Sequence, residues 1–305
     1  MTGSRSQGEG AGQRQPALAC LPRRPDPTTF RGKGTAALTT VPPQLERLAG
    51  ELVATARTVG GHLTAREVKF LALLAACPTA DGEILEIGTF KGKSTIVLAR
   101  AARLTGTAKV VAVDPFVLGS DAPDAALAHL RGNLQKHGVA EHVEFHQDHA
   151  ACLAHGWNRR IRLLWIDGDH TYEGAKSDFA LFSPFLSDGG ILAMHDVLNV
   201  MEGPIRVFME QVLLSQHFGP VGLCGSIGWA QFCADETLAR RYRDHKMGLH
   251  QRLGRLLPYV AFGRKAKGQK RRYKLQRWRV PHGEVNPMQW LQGVRVVAGA
   301  KDRPS

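Results

Sequence analysis

The sequence predicts an α/β fold built on a doubly wound, mostly parallel sheet, with helices before the sheet and a basic extension after it. Three observations lead to this prediction. Short apolar runs alternate with helical stretches from about residue 83 to residue 196. Each run is almost continuously apolar, which is typical of parallel strands covered on both faces. Acidic residues follow several runs directly, at the position where such sheets bind their ligands.

Five runs have the length and composition of strands. They are EILEIG (83–88), KVVAVD (109–114), HVEFHQ (142–147), IRLLWID (161–167) and GILAMHD (190–196). The helical stretches between them are KSTIVLARAAR, DAALAHLRGNLQKHG and YEGAKSDFALFSPFL. SDGG, just before the last run, predicts a tight turn because its residues favour turn conformations.

Two further helices are predicted before the first strand. PPQLERLAGELVATARTVG places its leucines and a valine on one side of a helix. In LTAREVKFLALLAAC, Thr64 and Glu67 have the spacing of a capping box. Residues 1–42 are rich in Gly, Pro, Ser, Thr and Arg without an apolar period, so we expect a disordered arm there. This leaves residues 43–238 for the sheet domain and 239–305 for the extension.

The cysteines and the apolar runs bear on cellular location. The five cysteines show no CxxC pair, which argues against a zinc ribbon or a disulfide framework. No run approaches the roughly 18 consecutive apolar residues of a membrane span. The N-terminal residues also lack the apolar stretch of a signal peptide. We therefore expect a cytoplasmic protein, with peripheral attachment to the inner face of the membrane as an added hypothesis.

The positive charge is concentrated in one segment. The net charge is +13 for the whole chain, −6 for residues 41–238 and +14 for residues 239–280. The favoured interpretation is an anionic membrane surface, into which LGRLLPYVAFG inserts its apolar residues. Nucleic acid that stacks on the aromatic residues of the segment is the less favoured partner. A solvated basic extension with some helix packing is the third interpretation.

Glycines and carboxylates follow the first three strands. The first strand runs into LEIGTFKGKST, where Gly88 and Gly92 allow close approach of the backbone to a ligand. The spacing is neither that of a P-loop nor that of a dinucleotide fingerprint. Glu86 precedes this turn, Asp114 ends the second strand, and Asp148 follows the third.

In combination these fragments resemble the class I S-adenosylmethionine-dependent methyltransferases, in particular the metal-dependent O-methyltransferases of small molecules and sugars. The resemblance covers about residues 60–235 and includes WIDGDHTYEGAKSDFALFSPFLSDGGILAMHDV. It implies that the glycine turn holds the amino acid end of the cofactor, that the acidic end of the second strand holds its ribose, and that the loop after the third strand lies by its adenine. The residues implied are Glu86, Gly88, Gly92, Ser94, Asp114 and Asp148. A carboxylate at the ribose is chemically apt, because it can accept both hydrogen bonds of a diol.

Acidic and imidazole side chains follow the next two strands. Asp167 ends one run and His195 with Asp196 ends the next, and neighbouring strands lie about 5 Å apart. A divalent cation such as Mg²⁺ or Mn²⁺ would stabilise this group. The resemblance implies a metal site at these three residues, although its members usually have two oxygen donors at the second strand end. Either the metal is softer than Mg²⁺, or His195 lies behind Asp167 and Asp196.

His170 is the predicted catalytic base. It follows Asp167 by three residues, where related enzymes have a lysine or a histidine. An imidazole with a pKa of about 6.5 can accept a hydroxyl proton at physiological pH. The alternative interpretation is a surface histidine at the start of a helix. Lys176 and Asp178, on that helix, are predicted to lie on its solvated face.

The predicted function is methyl transfer from S-adenosylmethionine to a hydroxyl of a sugar or another small molecule, assisted by a divalent metal. We also expect a homo-oligomer. One alternative is a metal-independent methyltransferase that acts on an amine or on another small molecule. The other is an RNA-binding methyltransferase that uses the basic extension. The acceptor follows from the resemblance alone, because one fold supports many chemistries.

Overall fold

The computed structural model describes residues 40–106, 109–117, 122–261 and 269–297. The arm predicted at residues 1–42 lies outside the described residues, apart from its last three. Two helices, α1 (Leu45–Thr58) and α2 (Ala65–Ala76), precede the sheet as predicted. The Glu67 side chain accepts a hydrogen bond from the Thr64 backbone, which fixes the start of α2.

Five parallel strands alternate with helices. The strands are β1 (Glu83–Ile87), β2 (Val110–Val113), β3 (Val143–His146), β4 (Ile161–Ile166) and β5 (Leu186–Met194). The helices after the first four strands are α3 (Lys93–Ala102), α4 (Pro123–Lys136), α5 (Ala150–His155) and α6 (Tyr172–Phe182). Next come α7 (Glu202–Val207), a π-helical segment (Phe208–Leu213), and a hairpin of β6 (Phe218–Cys224) and β7 (Ile227–Phe232).

The strand order is β3-β2-β1-β4-β5-β7-β6. The chain moves outward from β1 to β3 and then crosses back to β4, so the strand order reverses between β1 and β4. Ligands of such sheets bind at this reversal, outside the carboxyl ends of the strands. The predicted doubly wound, mostly parallel fold is confirmed. The hairpin was not foreseen; β7 pairs antiparallel with β5 and with β6.

The predicted SDGG turn is wrong, because these residues lie within β5. The pairing of β4 with β5 changes register between Ile161 and Leu163, and Gly189 has a φ of 84°. A Cβ on Gly189 would lie only 2.9 Å from the carbonyl oxygen of Thr79. The prediction was wrong because a β-bulge that needs a glycine with a positive φ contains the same residue types as a tight turn.

Helices cover both faces of the sheet. Successive residues of β4 alternate between them: Trp165 packs with Leu71 of α2 and Leu98 of α3, whereas Leu164 packs with Phe182 of α6 on the opposite face. The sheet therefore lies between two apolar clusters, one on each face. The site described below is built on the ends of the strands.

The C-terminal extension packs against the domain. Its helices are α8 (Glu236–Arg240), α9 (Arg243–Gly254), α10 (Leu257–Ala261), α11 (Gln269–Trp278) and α12 (Pro287–Gly293). Leu253, Leu256 and Val260 are buried in the apolar cluster that also contains Leu164 and Phe182. The predicted insertion of these three side chains of LGRLLPYVAFG into a membrane is therefore wrong. Across the described ranges, the helices lack the combination of length and apolar content that spanning a bilayer requires.

Candidate active site

A cavity of about 460 Å³ lies at the carboxyl ends of β1, β2, β4 and β5. The turns that follow these strands form most of its wall, and residues 60–63 between α1 and α2 complete it. Seven of the predicted site residues line the cavity: Gly88, Ser94, Asp114, Asp167, His170, His195 and Asp196. Glu86, Gly92 and Asp148 do not.

The turn after β1 is held in shape by Asp114. The carboxylate of Asp114 accepts hydrogen bonds from the backbone N–H groups of Thr89 and Phe90, both at 2.8 Å, and of Phe116 at 2.7 Å. Phe90 and Phe116 have φ values of 47° and 55°, which large side chains rarely adopt. The carboxylate predicted to bind a ribose thus also fixes two strained backbone positions beside the cavity.

Gly88 and Gly92 are each required to be glycine, but for different structural reasons. Gly88 has a φ of 88°, and a Cβ there would overlap the backbone carbonyl of Asp167. Gly92 has a φ of 86° and starts α3, and its Cβ would lie 2.7 Å from a methyl group of Leu130. Gly88 therefore allows β1 and β4 to end side by side at the cavity, whereas Gly92 serves the packing of α3 against α4.

Replacing Gly88 with alanine is expected to lower the free energy of unfolding by about 2–4 kcal/mol, because a left-handed φ and a backbone overlap both penalise the Cβ. Thermal unfolding followed by circular dichroism measures this. Gly132→Ala in α4 is the control, since a Cβ there meets nothing within 4 Å. Equal melting temperatures for the Gly88 and Gly132 variants would contradict the geometry.

Glu86 lies beneath the cavity wall rather than in it. The residue is fully buried on β1, and neither carboxylate oxygen has a hydrogen-bond partner among the described residues. Burial raises the pKa of Glu86 to about 8, although the nearby hydroxyls of Ser94 and Thr95 lower it in part. Glu86 does not line the cavity in this structure, and its role in cofactor binding stays a prediction. A buried carboxylate without a partner is nevertheless costly, which is typical of functional sites.

Asp148 is outside the cavity. Its carboxylate accepts a hydrogen bond from the His149 backbone at 2.7 Å, and this bond with that of Cys152 keeps the Asp148 pKa below its usual value. His149 and Ala150 line the cavity in its place. The predicted loop lines the cavity and Asp148 itself does not, because its side chain turns toward α5.

Three side chains form a compact group beside the cavity. One ligand atom each of Asp167, His170 and Asp196 can be chosen so that all lie within 4.8 Å of one another. His170 Nε2 is 3.2 Å from Asp196 Oδ2 and 3.6 Å from Asp167 Oδ1. This nitrogen is buried and makes no hydrogen bond of good geometry within the described ranges. No lysine or arginine forms an ion pair with either carboxylate in the described part of the chain.

The predicted metal group contained His195, and the structure has His170 there instead. His195 is 3% exposed, and its Nδ1 lies 3.0 Å from Asp167 Oδ1. Its Nε2 faces the buried Glu67 at 3.9 Å. Burial alone would lower the pKa of His195, but the carboxylates of Asp167, Glu67 and Asp196 raise it well above its usual value. His195 therefore lies behind Asp167, as in the second alternative drawn from the sequence.

The electrostatics around His170 differ from those of a free base. The carboxylates of Asp167 and Asp196 raise the pKa of His170 to about 9. Without a bound cation, a histidine with this pKa carries its proton at neutral pH and is not a free base; a cation bound at the same place would displace that proton. The protonated His170 then places a positive charge close to the carboxylates of Asp167 and Asp196, where a metal cation could also be held.

Asp178 is a cavity residue that the sequence analysis missed. It was assigned to a solvated helix face, but it is buried and lines the cavity. Burial, with a smaller effect of Asp169, raises its pKa to about 7. The signal was present in the sequence: Ala175, Asp178, Phe179 and Phe182 follow the helical period, so Asp178 shares their buried side.

Residues 85–197 match a family model described as a methyltransferase domain. An uncharacterized protein of Acanthamoeba polyphaga mimivirus is 25% identical over 129 residues, covering 41% of this chain and 55% of that protein. The chain thus spans about half the length of this curated relative. Residues 85–197, which the family model matches, contain the glycine turn, Asp114, and the group of Asp167, His170 and Asp196.

Solved structures with similar folds include three O-methyltransferases. The enzyme from Bacillus cereus, in complex with SAH, is 21% identical with a TM-score of 0.45, covering 62% of this chain and 90% of that one. A putative O-methyltransferase from Klebsiella pneumoniae is 20% identical with a TM-score of 0.48 and covers 68% and 93%. An enzyme of tomaymycin synthesis from Streptomyces achromogenes is 20% identical with a TM-score of 0.46, covering 61% and 89%.

The strand order, with a cavity at the carboxyl ends of the strands, is that of a Rossmann-like methyltransferase fold. Residues 85–197 are therefore similar to a methyltransferase domain, in agreement with the resemblance found in the sequence.

Proposed function

We propose that this protein transfers a methyl group from S-adenosylmethionine to a hydroxyl group of a small molecule, with a divalent cation held at Asp167, His170 and Asp196. The observation that carries the proposal is the group of these three side chains at the wall of a cavity that also contains the glycine turn. A saccharide acceptor remains the prediction drawn from the resemblance.

The donor set fits a divalent cation. Two carboxylates and one imidazole suit Mn²⁺, Fe²⁺ or Zn²⁺ better than Mg²⁺. His170 Nε2 is a buried nitrogen without a hydrogen bond of good geometry, and it faces both carboxylates. When bound, the cation would lower the pKa of the acceptor hydroxyl and so favour its reaction with the sulfonium methyl group.

The residues around this group would position it. The contact of His195 Nδ1 with Asp167 Oδ1 at 3.0 Å restricts the orientation of that carboxylate. The amide of Asn199 donates to Asp196 Oδ1 at 3.0 Å and leaves Oδ2 facing His170. Glu67 is fixed by the Ser226 hydroxyl at 2.7 Å and keeps a negative charge behind His195. These contacts would hold the ligand atoms in place before a cation arrives.

Methyl transfer from labelled S-adenosylmethionine to a panel of sugars, phenols and amines tests the proposal. We expect transfer to a hydroxyl acceptor that stops with a chelator and returns when Mn²⁺ is added. Activity that survives chelation would favour the metal-independent alternative, and transfer only to amines would contradict the proposed acceptor. A catalytically silent protein that still binds S-adenosylhomocysteine by calorimetry would limit the failure to the acceptor.

A further inference from the structure

The outward side of α11 combines basic and large apolar side chains. From Lys270 to Arg279 the sequence has six basic residues and no acidic one. Leu275 and Trp278 are 53% and 79% exposed, which is unusual for side chains of this size. Residues three and four apart share one side of a helix, so Arg271, Lys274, Leu275 and Trp278 form a continuous surface. We call these four residues the α11 face.

The opposite side of α11 is anchored close to the candidate site. The hydroxyl of Tyr273 is buried and lies 2.8 Å from the backbone carbonyl oxygens of both Leu198 and Asn199. The amide of Asn199 in turn donates to Asp196 Oδ1 at 3.0 Å. Tyr273 on the helix thus contacts Asn199 in the loop after β5, and Asn199 contacts Asp196 of the proposed metal group.

We propose that the α11 face docks on an anionic lipid membrane. Arg271 and Lys274 form no ion pair within the described ranges, so their charges are available to lipid head groups. Trp278 has an amphipathic ring of the kind that is enriched at membrane interfaces, and Leu275 beside it can enter the acyl boundary. The charge of −6 over residues 41–238 would keep the rest of the domain away from the same surface.

Lipid fits this surface better than nucleic acid does. A surface for single-stranded nucleic acid combines a basic groove with several aromatic side chains on which successive bases stack, and the α11 face offers one aromatic ring beside an exposed aliphatic side chain. Through Tyr273, docking would place the loop after β5 one helix diameter (~10 Å) from the lipid surface. This inference goes beyond the proposed reaction and does not depend on the cation or on the acceptor.

Tryptophan fluorescence of the unaltered protein provides a first test. The chain has five tryptophans, and Trp157, Trp165, Trp229 and Trp290 are all buried. Trp278 therefore dominates any solvent-dependent change. We expect a blue shift and weaker quenching by acrylamide with vesicles of phosphatidylcholine mixed with phosphatidylserine, and neither change with phosphatidylcholine alone. An unchanged spectrum with the anionic vesicles would overturn the proposal.

Paired variants locate the surface. In vesicle sedimentation, Leu275→Ala with Trp278→Ala, and separately Arg271→Glu with Lys274→Glu, are each expected to weaken binding at least about tenfold. Arg131→Glu with Lys136→Glu on α4 makes the same change of charge at exposed positions and should bind as the wild type does. Equal losses in the control, no loss in the α11 variants, or tighter binding to an RNA oligonucleotide than to vesicles in the same buffer would each refute a lipid-docking role.

Discussion

Replacing Asp196 with asparagine is expected to lower the rate of methyl transfer by about 10²- to 10⁴-fold, because the change removes a charged ligand atom from the proposed cation site. Asp196 has a φ of 57°, and asparagine is among the few residues that tolerate this conformation. The fold should therefore persist. The measurement is the initial rate at saturating S-adenosylmethionine, with Mn²⁺ added.

Asp148→Asn is the matched control for this prediction. It removes a carboxylate at another strand end, but one that lies outside the cavity wall. We expect its rate to stay within a few-fold of the wild-type rate. A full rate in the Asp196 variant would mean that this carboxylate has no part in the chemistry, and the cation hypothesis would fall with it.

Glu86→Gln is expected to remove a large pH dependence of stability. The pKa of Glu86 is raised from 4.5 to about 8, so the protonated form favours the folded state. Its stabilising contribution is complete below pH 4.5 and is lost as the pH rises to about 8. Linkage gives a loss of about 3 kcal/mol between pH 4.5 and pH 7 in the wild type, which the glutamine variant should not show.

Urea unfolding at several pH values measures this difference. The same variant is expected to bind S-adenosylhomocysteine more weakly in calorimetry, since a costly buried carboxylate is typical of a functional position. Glu83→Gln, at the other end of β1, should leave that binding unchanged. If Glu86→Gln has the pH profile of the wild type and binds equally well, Glu86 has neither property.

The sheet could be predicted from sequence because its signals are local. Each parallel strand is an apolar run, and the covering helices carry their own period and start signals. The hairpin of β6 and β7 was harder, since FGPVGLC and IGWAQF contain glycines and a proline that weaken a strand pattern. The bulge at Gly189 was missed for a related reason: its shape depends on the Thr79 backbone, far away in sequence.

The sequence predicted which residue types gather at the site, but it could not predict how their side chains are oriented. Position at the end of a strand brought Asp167, Asp196 and two histidines to one place. Both histidines lie close to the two carboxylates, but the second ring nitrogen of His195 also faces Glu67, which comes from α2. No spacing within the matched region contains that information. Burial of Leu253 and its neighbours likewise reflects tertiary packing that a basic composition conceals.

Binding of Mn²⁺, followed by electron paramagnetic resonance, tests the central claim most directly. The account predicts one bound Mn²⁺ per wild-type chain and loss of this binding in Asp167→Asn with Asp196→Asn, while Asp148→Asn binds as the wild type does. A wild-type protein that leaves Mn²⁺ free in solution, or a double variant that binds it with unchanged affinity, would contradict a cation site at Asp167, His170 and Asp196.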